Sequence, residues 1–478
     1  MNKRGSGGAK AHGPALAILL ALVAVPAAAQ TAGPVTTQQL FLDTASASAA
    51  HGNYLEATAG IIYTDNVTLT PNGTGDELYM IGLIGNMDRE GAPRFDYHFS
   101  SDLALIKYGS DVFPTQPFGY LDAFGDFKID PGFFSWTGRE TFTQALLNPL
   151  SPATPDNIES LNLITTGPRL HIQPTLRTTI TINGSATWVD SSTKSALYDN
   201  INNHRWGADF NVNRAFNNTV SAYVGGSYLD VKFQDTQNNT DFVQKQLLGG
   251  VKLNTARTYL DASGGYTWVD LDNVQKETAH GFTWDVSLSR LLSPTQRISI
   301  YGLNQFTDAA NLFYLNINQP VPGGGQNTIA TGQPFRHKEV GGDWRIQESR
   351  TTFELGAQYY QERYQETPQS DRNVSNIYGL VSRQLNESVT LNLAAGYLHQ
   401  DFLDGSETKN LNVWASVRWR VGPRIALRFL YAYSSLTPNG YVDNQVGVTV
   451  LYALTQEAKA ADERMNPLKT TAPTYQPR

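Results

Sequence analysis

The stretch Leu176–Asp190 constrains the fold more than any other part of the chain, because its residues alternate between two kinds. One face would carry the apolar or small residues Ile180, Ile182, Gly184, Ala186 and Trp188. The other face would carry the polar residues Thr179, Thr181, Asn183, Ser185 and Thr187. Successive side chains of a β-strand point to opposite faces, so the pattern predicts a strand with one apolar side and one wet side.

The end of this stretch, an aromatic residue followed by aspartate, returns every forty residues. Trp188 and Asp190 are followed by Tyr228-Leu229-Asp230 and Trp268-Val269-Asp270, with a looser copy at Phe306-Thr307-Asp308. A period of this size is typical either of a propeller blade with four short strands or of a hairpin with two long ones. The length of the individual strands distinguishes the two architectures.

The alternating runs are long. Leu176–Asp190, Arg257–Asp270 and Ser388–Phe402 exceed the roughly five or six residues of a usual strand. They do reach the roughly nine to eleven residues that a tilted strand needs to cross a bilayer. We therefore predict an all-β fold, a transmembrane antiparallel up-and-down β-barrel with an aromatic of each repeat at a membrane interface. The interface candidates are Trp188, Tyr228, Trp268 and Trp419.

Short turns and longer polar loops alternate along the chain from residue 53 to residue 454. The turn Asp130-Pro131-Gly132 has a clear physical basis, because proline presets φ and glycine permits a positive φ. Counting these segments predicts about 20 strands, within a range of about 16 to 22. Outer-membrane barrels place short turns in the periplasm and long loops outside, so we expect that orientation here.

The N-terminus has the pattern of a secretory signal. Lys3, Arg4 and Lys10 precede the apolar run Pro14–Val25, and small residues at Ala27–Ala29 offer a cleavage site. This predicts a cleaved Sec signal peptide over residues 1–29 and export to the bacterial outer membrane. Residues 30–52 would be a polar periplasmic segment, residues 53–454 the barrel and residues 455–478 a charged tail. The absence of cysteine excludes disulfides and a lipid-modified N-terminal cysteine.

Composition narrows the class of partner. Mean hydropathy is −0.33. Outside the predicted signal peptide, the sequence has no apolar run long enough for a membrane helix. Transmembrane β-barrels also lack such runs, because polar and apolar residues alternate along their strands. The formal net charge is −7, which argues against a nucleic-acid partner. The 8 histidines are scattered, and the sequence has neither a phosphate-binding glycine loop nor a nucleophile elbow. We expect outer-membrane lipid as a partner, and no enzymatic activity, cofactor or metal.

Charged residues fall on the predicted wet faces. Leu411–Trp419 and Ile425–Tyr433 alternate so that their apolar residues face lipid, which places the intervening arginines inside, because charge on the lipid face is penalised. The candidate lumen residues are Arg139, Arg205, Arg345, Arg418, Arg420, Arg424, Arg428, Asp122, Asp126 and Asp343. They are either salt-bridged wall residues or a charged track for a solute or glycan.

Several motifs stand out beyond the alternation. Tyr63–Leu69 ends the first predicted strand, Trp136 precedes Gly138-Arg139-Glu140, and Asn148-Pro149, Thr154–Asn157 and Gly167–Leu170 follow. These stretches resemble the outer-membrane β-barrel porins encoded near exopolysaccharide and exosortase genes. The resemblance implies a porin-like channel for exopolysaccharide export, with the glycan and periplasmic export components as partners. A general diffusion porin and a structural or assembly scaffold with a closed lumen remain alternatives.

The longest loop, Ala309–Gly332, combines apolar residues with a run of glycines. A loop of this length is uncommon unless it has a function or is disordered. Its apolar first half, around Leu312–Leu315, predicts that it folds over or into the mouth of the barrel and narrows the pore. The alternatives are a loop draped over the surface and a strand extended above the membrane, since Leu315 and Ile317 alternate with asparagines.

Overall fold

The computed structural model describes residues 53–192, 201–273, 276–316, 329–438 and 440–455. These residues form 20 β-strands, which confirms the predicted fold class and strand number. The strands are β1 (Tyr54–Thr64), β2 (Asp76–Arg89), β3 (Phe95–Tyr108), β4 (Gln116–Asp130), β5 (Phe134–Leu146), β6 (Ile158–Thr175), β7 (Thr178–Ser191), β8 (Asn203–Ala215), β9 (Val220–Phe233), β10 (Phe242–Asn254), β11 (Thr258–Leu271), β12 (Thr278–Ser293), β13 (Gln296–Thr307), β14 (Phe335–Gln347), β15 (Thr351–Tyr364), β16 (Arg372–Gln384), β17 (Val389–Phe402), β18 (Glu407–Arg420), β19 (Ile425–Thr437) and β20 (Tyr441–Ala453).

Three short helical segments lie between strands. One α-helix, α1 (Ala309–Asn316), follows β13, and 3-10 turns cover Pro155–Asn157 and Pro368–Ser370. Within the described ranges, no helix combines the length and the apolar character needed to cross a bilayer.

Every strand pairs antiparallel with the next strand in sequence, and the barrel closes between its first and last strands. Glu56 of β1 lies opposite Ala453 of β20, and Thr64 opposite Gln445. A closed barrel satisfies all backbone hydrogen bonds without leaving a sheet edge, which is why it can cross a membrane. The architecture is therefore that of an outer-membrane β-barrel.

The two ends of the barrel differ. Even-numbered strands connect to the next strand by turns of two to five residues, whereas most of the opposite connections are longer. We call the first end the turn end and the second the loop end. The loop-end connections are L1 (65–75), L2 (109–115), L3 (147–157), L4 (192–202), L5 (234–241), L6 (272–277), L7 (308–334), L8 (365–371), L9 (403–406) and L10 (438–440). At the turn end, Gly132 has a φ of +92° and Phe133 donates a 3.0 Å backbone hydrogen bond to Asp130. The alternation predicted from the sequence is thus present.

The strands observed for the three long alternating runs begin one or two residues later than the predicted runs. The run predicted from Leu176 begins as β7 at Thr178, and Gln173-Pro174-Thr175 lies in β6. The pairing of β6 with β7 shifts register between Ile172 and Thr175, and this irregularity carries Pro174 without a ladder hydrogen bond. The faces of β7 are as the alternation indicates.

The outer wall is apolar and the inner wall is mostly polar. Trp188, Tyr228 and Trp268 lie exposed on the outer face near the loop end, and Trp419 lies exposed on that face near the turn end. Ile182 is exposed on the same wall, and the polar residues of β7 point inward. An apolar band with aromatic residues near its borders is the surface that transmembrane barrels present to lipid.

Part of the inner wall is nevertheless apolar. An inner apolar cluster forms from side chains of β1–β4 and β16–β19, among them Ile62, Leu78, Ile106, Phe118, Leu380 and Trp414. Val67 of L1 and Phe113 of L2 pack into this cluster and are buried. Two loops therefore fold inward at the loop end.

The predicted signal peptide and the polar segment 30–52 lie outside the described residues, as does the tail from residue 456 onward. The middle of the longest loop, from residue 317 to residue 328, also lies outside them.

Candidate functional site

The long loop L7 (308–334) begins with a helix, so the alternative of a strand extended above the membrane is wrong for Ala309–Asn316, and Ile317 lies outside the described residues. Helix α1 starts one residue after Asp308, and the Leu312 N–H donates a 3.0 Å hydrogen bond to the Asp308 carbonyl. Ala309 and Ala310 are buried against the inner face of distant strands. Their neighbours are Ala145, Leu161, Leu163, Val189 and Ile201. The loop therefore reaches from β13 to the inner wall formed by β5, β6 and β7.

An ion pair holds the start of L7 against this wall. Arg205 of β8 lies 2.6 Å from the Asp308 carboxylate, with side-chain exposures of 5% and 1%. Arg205 also donates a 2.7 Å hydrogen bond to Asn203, and the Asn311 N–H donates a 3.1 Å bond to Asp308. A buried ion pair needs such additional hydrogen bonds to offset the loss of hydration. Arg205, predicted to line the lumen, thus anchors a loop.

The returning half of L7 is fixed to the same side of the mouth. Ile329 forms a parallel bridge with Leu146 at the loop end of β5, and the Ala330 N–H donates a 2.8 Å hydrogen bond to the Leu146 carbonyl. Leu312 and Ile329 share a buried cluster with Phe335 of β14. Both described parts of L7 therefore lie across the mouth of the barrel, as the sequence predicted, and the narrowing of the pore stays a prediction.

Neighbouring loops tie this cover together. Glu366 of L8 accepts hydrogen bonds from Thr240 of L5, at 3.0 Å, and from Asn273 of L6, at 3.3 Å. Thr367 of L8 donates a 2.9 Å bond to Gln333 of L7. Four consecutive loops on one side of the mouth are thus joined by side-chain contacts.

Below the loops, the inner wall carries a repeated arrangement of tyrosine, glycine and carboxylate. Tyr223 lies opposite Gly250, Tyr301 opposite Gly341 and Tyr378 opposite Gly356 in the strand registers. A Cβ atom on Gly341 would lie 2.5 Å from the Tyr301 hydroxyl, and the other two glycines are covered by their tyrosines in the same way. Each ring therefore lies flat over a glycine instead of projecting into the lumen.

The hydroxyl groups of these rings reach carboxylates. Tyr223 donates a 2.9 Å hydrogen bond to Asp261, and Tyr378 a 3.4 Å bond to Glu354. Tyr301 bonds to Glu339. We call these three sets the tyrosine–carboxylate track, which follows the inner wall from β9 to β16 below L7. It combines hydrogen-bond donors and acceptors at the lumen surface.

Most of the predicted lumen residues are on the inner wall and in specific pairs. Arg139 makes a two-point contact with Asp122, at 2.5 Å and 2.6 Å, and Asp126 lies 3.3 Å from Arg169. Asp343 lies 3.6 Å from Arg297, a residue that the sequence analysis did not single out. Arg345 interacts electrostatically with Glu354 and Asp343. These contacts agree with the first of the two interpretations given for the lumen residues, namely side chains of the wall that form salt bridges with one another.

The late arginines divide into two groups. Arg418 lies 2.5 Å from Glu56 across β19 and β20, and Arg428 is buried with a 3.2 Å hydrogen bond to Thr449. Arg420 is the exposed last residue of β18. Arg424 lies in the exposed turn before β19, so it belongs to the turn end instead of the lumen wall. The alternation of inward and outward residues could not locate Arg424, because this alternation holds only within a strand.

One group of possible metal ligands lies on the outer rim at the loop end. His399 lies 3.0 Å from Asp401 and 3.3 Å from Glu407. The second oxygen of Glu407 is 2.7 Å from Lys409, so a cation of the chain already neutralises this carboxylate. These residues do not form a recognisable group in the sequence, because they meet only through the pairing of β17 with β18.

No family model matches the chain, and no curated protein matches it. Solved outer-membrane barrels are similar in structure. The ferric enterobactin receptor PfeA is 9% identical with a TM-score of 0.43, covering 84% of this chain and 82% of that one. The FrpB iron transporter from Neisseria meningitidis is 10% identical with a TM-score of 0.45, covering 87% and 83%. The ferric citrate transporter FecA is 8% identical with a TM-score of 0.43, covering 84% and 79%.

Proposed function

We propose that this chain is an outer-membrane conduit for an exported polysaccharide, closed at rest by L7 at its outer mouth. The observation that carries the proposal is the tyrosine–carboxylate track on the inner wall. Hydroxyl-rich solutes exchange hydrogen bonds with carboxylates and tyrosine hydroxyls, and flat rings offer apolar surface to sugar faces. The resemblance of the Trp136–Leu170 segment to polysaccharide-associated porins supports the same function.

The charge of the wall favours a neutral or cationic glycan. The inner faces of β10–β16 carry the carboxylates Asp261, Asp285, Glu339, Asp343, Glu354 and Glu362. They also carry the cations Lys252, Arg297, Arg345 and Arg372. Some of these charges are paired along the wall. Lys252 lies 3.1 Å from Asp261, and Arg372 lies 2.8 Å from Glu362. An excess of carboxylates repels polyanions by simple electrostatics.

Each alternative has an observation of its own. A general diffusion porin requires an open mouth, and the docking of L7 by Arg205 and Asp308 opposes a permanently open one. A closed scaffold is favoured by the inner apolar cluster, in which Val67 and Phe113 fill part of the lumen near the loop end. Export through a gated channel accommodates both features, because loops that close the mouth can also leave it.

The test combines conductance with a cellular measurement. In planar bilayers we expect low conductance for the natural protein and a several-fold rise after deletion of Asn311–Ala330. In cells we expect loss of surface polysaccharide on gene deletion, restored by the natural protein. Equal conductance of both proteins, with heat-modifiable mobility retained, would favour the closed scaffold. Normal surface polysaccharide in the deletion strain would instead leave a general porin.

A further inference from the structure

A carboxyl group lies on the lipid-facing side of β5. Glu140 is the middle residue of a strand of 13 residues, and it sits opposite Ala123 of β4 and Ile164 of β6. Its neighbour Arg139 points inward to Asp122, so Glu140 points outward. The Glu140 carboxyl forms a hydrogen bond with the side chain of Asn162 on β6.

This position is unlike those of other outward-facing charges nearby. Lys107 is the penultimate residue of β3, and Asp190 is the penultimate residue of β7. Charges at strand ends reach the polar interface, whereas a charge in the middle of the wall faces hydrocarbon. Ionisable groups at such depth are costly and are characteristically found where protein covers them.

The outer surface beside Glu140 is open at Gly138, whereas the ring of Phe95 lies over Gly125, where an added Cβ would be 3.1 Å from it. Gly138 and Gly125 lie opposite each other on β5 and β4, with Ala123 beside them. A Cβ atom on Gly138 would meet no atom within 4 Å, so the site is open on the outside. Trp136 stands next to this recess and is exposed over 46% of its surface. Small residues in a membrane-facing surface let a second backbone approach closely.

We propose that this patch, formed by Ala123, Gly125, Trp136, Gly138, Glu140 and Asn162, binds the same patch on a second copy of the chain. A two-fold interface brings one surface against itself, so it must contain both partners of each contact. The patch meets this condition twice. Trp136 is a protrusion beside the open position at Gly138, and the Asn162 amide can donate to the Glu140 carboxyl of the other copy. The functional unit is then a dimer.

Cysteine cross-linking in native outer membranes tests the interface, because the chain has no cysteine of its own. We expect Gly138→Cys to form a covalent dimer with a short bifunctional maleimide. Val340→Cys is the matched control, since Val340 is outward and exposed near the middle of β14 on a different part of the wall. Dimer yields for Gly138→Cys no higher than those for Val340→Cys would overturn the proposal. A cross-linked product of a mass other than twice the chain would also overturn it, because a different protein would then occupy the patch.

Two further substitutions test the contacts themselves. Gly138→Trp fills the recess, and the open space at this position lets the barrel fold, so we expect a folded monomer by native mass spectrometry. Glu140→Leu should also lose the dimer, whereas Glu140→Gln, which keeps hydrogen-bonding groups, should retain it. Heat-modifiable mobility verifies folding in every case. Dimers of undiminished stability in both Gly138→Trp and Glu140→Leu would show that the patch is not the contact.

Discussion

Arg205 of β8 and Asp308, the first residue after β13, form a 2.6 Å ion pair although four strands lie between β8 and β13 along the barrel wall. The contact joins the wall to L7, and both side chains are almost completely buried. Removing one member of a buried pair leaves the other charge uncompensated, which typically costs about 3–5 kcal/mol. The pair is therefore the natural point at which to release the loop.

We expect Arg205→Gln to undock L7 and leave the barrel folded. In planar bilayers the variant should open more often and for longer than the natural protein, and L7 should become sensitive to protease added from outside. Arg214→Gln, at the exposed turn end of the same strand, is the control and should change neither property. Unchanged gating and protease resistance in Arg205→Gln would mean that the pair does not hold the loop.

The two faces of β7 give a second prediction. Ile182 is outward and exposed, whereas Thr181 is inward and lies opposite His171 and Asn211. Arginine on the lipid face costs about 2–4 kcal/mol near the midplane, and the lumen tolerates it. Ile182→Arg should thus lower the free energy of unfolding by about that amount, with Thr181→Arg nearly neutral. Urea unfolding in lipid vesicles measures both, and equal losses would contradict the assignment of faces.

These faces could be predicted from the sequence because alternation is local. Thr181 and Ile182 are consecutive residues, so a strand places their side chains on opposite faces whatever its register. The alternation of turns and loops is local for the same reason. The ion pair that docks L7 could not be predicted, because Arg205 and Asp308 meet only after the barrel has closed, and no local pattern pairs them. Arg424 shows a different limit of the alternating pattern. Its position in the alternation corresponds to the inner face, but β19 begins one residue later, at Ile425.

Contacts between side chains on different strands could be predicted only from knowledge of the strand register. Tyr301 and Gly341 are forty residues apart, and their facing positions follow from the pairing of β13 with β14. Glu140 could have been noticed in the sequence, because it interrupts an outward apolar series between Trp136 and Phe142. A carboxylate within such an apolar series is a signal that the local sequence carries. The family motif alone does not indicate it.

The orientation of the barrel gives a third prediction. Gln237 is exposed in L5, and Gly422 lies in the turn between β18 and β19 with no atom within 4 Å of an added Cβ. We expect Gln237→Cys to react with an impermeant maleimide on intact cells. Gly422→Cys should react only after the outer membrane is permeabilised. The reverse labelling pattern would place the loop end in the periplasm and refute a gate that faces outward.

The last prediction concerns the tyrosines that lie over glycines. Tyr378 covers Gly356 in the facing strand, and its hydroxyl donates a 3.4 Å hydrogen bond to Glu354. A methyl group at Gly356 would collide with the ring, so Gly356→Ala must push Tyr378 into the lumen and break that bond. Overpacking of this kind typically costs about 1–3 kcal/mol. We expect a loss of that size in urea unfolding and a smaller single-channel conductance.

Gly379→Ala is the matched control for this substitution. Gly379 follows Tyr378 on β16 and faces outward, where an added Cβ would make only contacts of 3.9 Å. It should therefore leave stability and conductance unchanged. The double variant Gly356→Ala with Tyr378→Ala should lose less than the sum of its two single variants, because the second change removes the ring that the methyl group strikes. Additive losses would show that the ring and the glycine are not in contact, and that the tyrosine–carboxylate track is not built by this packing.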